Sequence, residues 1–271
     1  SLVNHRLSDK TGHLVATKAI PVTLDAYQKL NVKSTFFITG YFAMKFPEAV
    51  KTIHDAGHEI ACHGYSHRHE EAFDCMSLDE QIEHLKKAKQ ILEDIIHEDV
   101  VSFRAPALRT NEYTVQALLK TGFMIDSSIA SKRFDFFLSL GTSNKIHWLT
   151  APTNSYITSK DHLYKKGNSG IFEIPVSAFI IPYIGTTMRV FPFLSNLIRP
   201  IIAKREYANF LIHPIELIIE ERDSNKISRR SGNLIKYLLS DVIRHKLKIK
   251  NIGEPSIALL KKQIEYFRNK H

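Results

Sequence analysis

The sequence predicts a single α/β domain whose sheet is mainly parallel. Three observations carry this expectation. Helical and strand patterns alternate along most of the chain, the arrangement that builds βα units. The 271 residues, 44% hydrophobic and 24% charged, suit one large domain with a core big enough to shape a cavity. Nowhere do eighteen apolar residues follow one another, so no transmembrane helix is expected.

Residues 19–30 read as an amphipathic helix and TFFIT (35–39) as a buried strand. Residues 47–56 are helical from Pro47, and Gly57 ends the run. HEIAC (58–62) is a short strand. Residues 78–96 form a long helix with Asp79 and Glu80 in its first turn, where the helix dipole favours anions. Residues 100–104 give the next strand, 111–120 a helix stopped near Gly122, and 123–126 another strand. Later strands are expected at 172–175 and 209–213, while 140–170 are polar and irregular and should cross one rim. The chain is read as one domain over 1–271, with its motif-bearing core over about 19–216 and a basic, helical extension over 217–271.

The formal net charge is +9. A basic surface can attract nucleic acid, anionic glycans or acidic lipid, but a solvated basic face is the simpler reading. Cations gather late, at Arg229, Arg230, Lys246, Lys248, Lys250, Lys261 and Lys262, without aromatic interleaving, so no nucleic-acid partner is expected. The apolar stretch 191–202 is broken by Pro192, Asn196, Arg199 and Pro200. It reads as buried or rim structure, with contact to a membrane surface the minor alternative. Cys62 and Cys75 make no disulfide framework and leave the redox compartment open. The chain begins at Ser1 without a methionine, so an N-terminal piece is expected to precede it. Localisation, cell envelope or cytoplasm, stays open for the same reason.

The segment GHEIACHGYSH holds His63 and His67, four residues apart. After a strand, an i, i+4 pair on a turn of helix sets both imidazoles on one face. Neutral imidazole is a common zinc ligand, although a catalytic zinc ordinarily has three protein ligands and a water. An H-x-x-x-H pair is unremarkable by itself among 14 histidines. His58 and His69 lie close by and read more simply as surface or supporting residues.

The order TFFITG, GHEIACHGYSH, FRAPA, a strand ending in DSS, then NFLIHP resembles the NodB-homology polysaccharide deacetylases, carbohydrate esterase family 4. The resemblance runs from about 19 to 216, and five segments in this order are far more specific than any one of them. It implies a distorted barrel of about seven βα units with its site at the carboxyl ends of the strands. It implies a divalent metal, zinc first, held by His63 and His67, with Gly64 standing where the family has Ser or Thr and an orienting hydrogen bond weakened by that change. It implies His213, in the L-x-H position, as general acid, and Arg104, in the R-x-P motif, as partner of the catalytic carboxylate. The Ala107 N–H falls at the family's oxyanion donor, and Leu211 packs against the acyl methyl or serves as an ordinary core leucine. Asp126 either orients His213 from behind or caps a turn with Ser127 and Ser128.

One family motif is missing. T-F-D-D-G supplies the base and the third metal ligand, and no such run stands in this chain. Upstream there are only Asp9 and Asp25. Asp25 lies inside the first expected helix. Asp9 is either a remnant ligand or unrelated, with the strand and both aspartates lying before Ser1; the polarity of VNHRLS favours the latter. The activity implied is hydrolysis of an N-acetyl group on a glycan, to a free amine and acetate. Two other readings stay open: a C–N hydrolase of the same fold acting on a small amide, and a non-catalytic carbohydrate-binding descendant. Oligomeric state is not legible.

Overall fold

The structure, a computed structural model, describes residues 9–68, 70–134, 143–219, 247 and 249–270. Helix α1 (Asp9–Leu14) passes through one π-helical turn (Val15–Ala19) into α2 (Ile20–Lys29). Pro21 follows directly on the π turn, so the N–H it lacks falls where the helical hydrogen-bond pattern changes. Ile20, Thr23, Ala26 and Tyr27 form the buried stripe of that helix. Strand β1 (Thr35–Ile38) ends at Thr39, whose hydroxyl accepts the Phe42 N–H at 3.3 Å and caps α3 (Gly40–Lys45). Helix α4 (Pro47–Asp55) stops before Gly57, which takes φ +76°, and β2 (Glu59–Cys62) follows. A reciprocal Ser77–Glu80 capping box opens α5 (Leu78–Ile96), and left-handed His97 closes it.

Then come β3 (Ser102–Phe103), α6 (Thr114–Lys120), β4 (Ile125–Asp126), β5 (Ala130–Arg133), a 3-10 segment (Ser143–Leu149) and β6 (Tyr156–Ile157). The chain continues through β7 (Phe172–Glu173), β8 (Val176–Pro182), α7 (Gly185–Val190), α8 (Pro192–Ile202) and α9 (Glu254–Arg268).

One sheet runs β1-β2-β3-β4-β7-β6. Its first four pairings are parallel, and β6 closes the edge antiparallel to β7. Parallel strands in chain order put their carboxyl ends on one rim, so Thr39, His63, Arg104, Ser127 and Ile174 all emerge on the same side. The core packs Ile38, Ile60, Cys62, Phe103, Leu85, Leu92 and Leu118 between these strands and α3–α6. A second, two-stranded parallel sheet, β5–β8, stands beyond that rim with a bulge between Ser131 and Arg133.

One expectation needs correction, and two are sharpened. The strand expected at 209–213 is reduced to a single bridge, Ile184 to Leu211. The Asn209 N–H donates to Ser177 Oγ and its side-chain amide to Ser127 Oγ and the Ile174 carbonyl, so side chains take the place of a ladder. The irregular stretch 140–170 carries the 3-10 segment and β6. The apolar stretch 191–202 is helix α8, which accepts Pro192 at its start and Pro200 inside. Of the late cations, Arg229, Arg230, Lys246 and Lys248 lie outside the described residues. Helix α9 packs back on the body, with Leu260 beside Met188 and Leu217.

Candidate functional site

His63 follows the last residue of β2, and its N–H still donates to the Ile38 carbonyl at 2.8 Å. Its ring Nδ1 lies 2.6 Å from the Arg104 carbonyl oxygen. A carbonyl only accepts, so Nδ1 carries the hydrogen and Nε2 keeps its lone pair. Gly64 then takes φ +69°. A Cβ there would meet Phe73 at 3.1 Å and His84 at 3.2 Å. The glycine is therefore required by the turn, and His63 is oriented by the Arg104 carbonyl rather than by a hydroxyl at position 64. The turn brings the His67 ring to 5.4 Å from that of His63, centroid to centroid. Burial pushes the His63 imidazole well below its usual value, and it pushes His67 down to about 4. Each also feels the charge of His213. Both rings are neutral at pH 7, the state that offers a lone pair to a cation.

Arg104 leaves β3 and is buried. Its guanidinium donates to the Ser127 carbonyl at 2.8 Å and to Ser127 Oγ at 2.6 Å, and it stacks over Phe37 at 4.0 Å. Two carboxylates face it, Asp126 and Glu173, which are register partners on β4 and β7 and have no exposed surface. Asp126 accepts the Ser128 N–H at 3.0 Å and the Ser128 hydroxyl at 2.7 Å, which is the turn-capping role. Glu173 Oε1 accepts the Ile129 N–H at 3.1 Å, while its Oε2 has no fixed donor among the described residues. Burial pushes both carboxyls up, Glu173 further, and Asp126 beside it pushes the same way. Two buried carboxyls against one guanidinium hold one proton between them, and Glu173, pushed further up, is the carboxyl to carry it.

After Arg104 the chain makes a 3-10 turn, Pro106–Leu108, in which Ala107 (φ 56°) and Leu108 (φ 55°) are both left-handed. Neither is glycine, so the rim there stores backbone strain. His213 is exposed and lies at the start of a second 3-10 turn, Pro214–Leu217. That turn folds Glu216 back so that its Oε1 sits 3.4 Å from His213 Nδ1. Glu216 is buried and also accepts the Thr186 hydroxyl at 2.9 Å and Arg189 Nε at 3.0 Å. Burial would push its carboxyl up, but His213 and Arg189 together hold it below the usual range. The carboxylate behind His213 is thus Glu216, not Asp126. The only signal in the sequence was the Glu three residues after His213 in LIHPIE.

Leu211 is half-buried against the main core, and its carbonyl accepts the Gly185 N–H at 2.7 Å. His58 is a packing residue: it is buried against Phe36 and Tyr27, and its Nδ1 accepts the Ser34 N–H. His69 lies outside the described residues. Asp25 is exposed on α2 and pairs with Lys29. Asp9 opens helix α1 instead of ending a strand, and its side chain lies outside the described residues. Among the described residues no group of three His, Cys, Asp or Glu side chains converges to hold a metal ion. His63 and His67 thus fit two of the three protein ligands of a catalytic metal site.

The family model for polysaccharide deacetylases matches residues 11–125. A peptidoglycan deacetylase of Helicobacter pylori is 31% identical over 125 residues, 46% of this chain and 42% of that one. A peptidoglycan deacetylase-like protein of Gibberella zeae is 38% identical over 100 residues, 36% of this chain and 28% of that one. The chain thus spans less than half the length of these curated relatives. A solved structure from Mycobacterium smegmatis, assigned as a polysaccharide deacetylase, superposes with TM-score 0.54 at 19% identity over 96% of this chain and 82% of that one. Residues 11–125 therefore match the model of the polysaccharide deacetylase family, and the chain carries the barrel-like α/β fold of the solved structure it superposes on.

Proposed function

We propose that this chain is a metal-dependent hydrolase that removes an N-acetyl group from a glycan. The observation that carries the reading is the neutral pair His63 and His67, with the His63 Nδ1–H tied to a carbonyl and a third imidazole, His213, within electrostatic reach of both. The peptidoglycan deacetylase of Helicobacter pylori supports an N-acetylated cell-wall glycan as the substrate class. His63 and His67 would hold a divalent cation, zinc first by ligand type. Such a cation lowers the pKa of a bound water and polarises an amide carbonyl.

The remaining roles belong to the chain's own groups. The Arg104 carbonyl fixes the His63 tautomer and ring plane. Glu216 takes the Nδ1–H of His213 and leaves Nε2 to deliver a proton to the departing nitrogen. The Ala107 N–H, in the left-handed turn after Arg104, would be the donor for the developing oxyanion. Leu211 lines the acyl methyl. Asp126, Glu173 and Arg104 form a neutral buried cluster that braces the rim beneath these groups.

The test is metal content and deacetylation of an N-acetylglucosamine oligomer, for the wild type and for His63→Ala and His67→Ala. The expected result is stoichiometric metal in the wild type, lost in both variants together with acetate release. Full metal and activity in both variants would overturn the reading. Oligomer binding without metal uptake would instead mark a non-catalytic carbohydrate-binding descendant.

A further inference from the structure

His63 and His67 stand at the two ends of a short turn, and they are placed by different means. His63 continues strand β2, and its ring is tied to the Arg104 carbonyl. His67 comes four residues later, so its place depends on the path of Gly64, Tyr65 and Ser66. Gly64 has no side chain to fix that path. Its carbonyl accepts the Gly40 N–H at 2.9 Å, and the Tyr65 carbonyl accepts the Tyr41 N–H at 2.8 Å. Helix α3 thus holds two carbonyls of the turn from its first residues.

The amide side of the turn is held from helix α5. The Tyr65 N–H donates to His84 Nδ1 at 3.1 Å. Nδ1 therefore keeps its lone pair and Nε2 carries the hydrogen, the reverse of the His63 tautomer. His84 Nε2 is buried without a hydrogen-bond partner among the described residues, and Glu71 Oε2 lies 3.8 Å from it. The Tyr65 and Phe73 rings stand edge-on to the imidazole, at 5.9 and 5.5 Å between centroids, and fix its plane. A Cβ at Gly64 would sit 3.2 Å from His84 Cε1, so the imidazole fills the space that the glycine leaves.

Glu71 completes the turn. It accepts the Ser66 hydroxyl, and Ser66 Oγ accepts the Arg68 N–H at 3.2 Å, so the residues on both sides of His67 are tied together. The two helices behind the turn are locked to each other. A Cβ at Gly40 would lie 2.9 Å from Ala88 Cα, and Ala88 is one helical turn from His84. His58 shows the same contact away from the site. Its Nδ1 accepts the Ser34 N–H at 3.2 Å, but that amide leads into β1 and carries no candidate ligand.

We infer that His84 is a positioning residue of the site: by accepting the Tyr65 N–H, its Nδ1 sets the His67 imidazole against that of His63. The inference rests on the proposed metal-holding role of His63 and His67. The acceptor at position 84, rather than the bulk of its side chain, then governs how well the two rings share a cation.

The test is the zinc dissociation constant of the full chain, read by competition with a chelating dye, together with the visible absorption of its cobalt(II) form, which reports ligand geometry. His84→Asn puts an amide oxygen near the place of Nδ1. His84→Gln is larger but carries its polar atoms further out, and His84→Ala removes the acceptor without adding bulk. Zinc binding weaker by about 10- to 100-fold, with shifted cobalt bands, is expected for His84→Gln and His84→Ala. His84→Asn should keep most of the affinity and the wild-type bands, and His58→Gln should leave both readouts unchanged. Wild-type affinity and bands in His84→Gln or His84→Ala overturn the inference. A larger loss in His84→Asn than in His84→Gln does so too, because the imidazole would then act by filling space, as does an equal loss in His58→Gln. Zinc held by the wild type, lost in His63→Ala and kept in His84→Ala sinks the inference alone. Zinc binding that is absent from the wild type, or unchanged in His63→Ala, removes the metal reading and this inference with it.

Discussion

Two buried arginine–carboxylate clusters brace this rim, and they differ in stoichiometry. Arg104 faces two carboxyls, Asp126 and Glu173, neither with any exposed surface. Arg189 faces one, Glu216, which reaches on to the exposed His213. Two carboxyls against one guanidinium keep a proton, and the cluster is neutral and closed. One carboxylate between a guanidinium and an imidazole stays ionised and can steer the imidazole. The first arrangement serves packing at the base of the site. The second serves a side chain that must meet a substrate.

The sharpest way to break this contrast is to remove each cation or carboxylate in turn. Arg104→Met should be the most damaging, since it leaves Asp126 and Glu173 buried without their counter-charge. A loss of roughly 3–5 kcal/mol is expected for breaking a buried pair, read as a shift in the urea midpoint. Glu216→Gln should act on turnover instead: a positioning partner behind a working imidazole is worth about 10- to 100-fold. The expected signature is a lower kcat with KM nearly unchanged, and metal content equal to wild type. A fall in stability with kcat intact would make Glu216 merely structural. Next in size is Gly64→Ala, which puts a Cβ 3.1 Å from Phe73 at a left-handed position. It should cost about 1–3 kcal/mol of stability, measured by thermal unfolding.

The parts of this site that were legible in the sequence are those whose chemistry is local. TFFIT and HEIAC read as strands because buried parallel strands are short apolar runs. Residues 78–96 read as a helix with Asp79 and Glu80 in its first turn, where the helix dipole favours anions. His63 and His67 were singled out by the order of the segments around them, because their spacing alone is unremarkable among 14 histidines. Glu173 was not legible, because FEIP reads as a core strand with an outward glutamate. The strand is set the other way round, with Phe172 exposed and Glu173 inward. That choice is made by Arg104, some seventy residues earlier in the chain. Glu216 was hidden because a 3-10 turn, not a helix, returns it to His213. The helical form of 191–202 was hidden by its two prolines, one harmless at the first turn and one tolerated inside. The barrel wall was thus written in local patterns, and the bracing beneath the site in long-range charge matching.

The smallest expected effect is also the most discriminating between the two clusters. Glu173→Gln replaces a protonated carboxyl by its neutral isostere, so Asp126 keeps a donor and Arg104 keeps one carboxylate. Stability near pH 5 should change by less than about 1 kcal/mol. The pH dependence should change more. A carboxyl whose folded pKa is raised holds its proton after the unfolded chain has released it at about pH 4.5. Its contribution is therefore complete below that value and fades as pH climbs through the folded pKa. Wild type should lose stability as pH rises from about 4.5 towards the raised folded value, where Glu173 ionises beside Asp126, and Glu173→Gln should lose less. Thermal unfolding of the two proteins at pH 5, 7 and 9 reads this directly. Parallel curves would mean that Glu173 is already ionised in the fold, and the proton assigned to it would have to go.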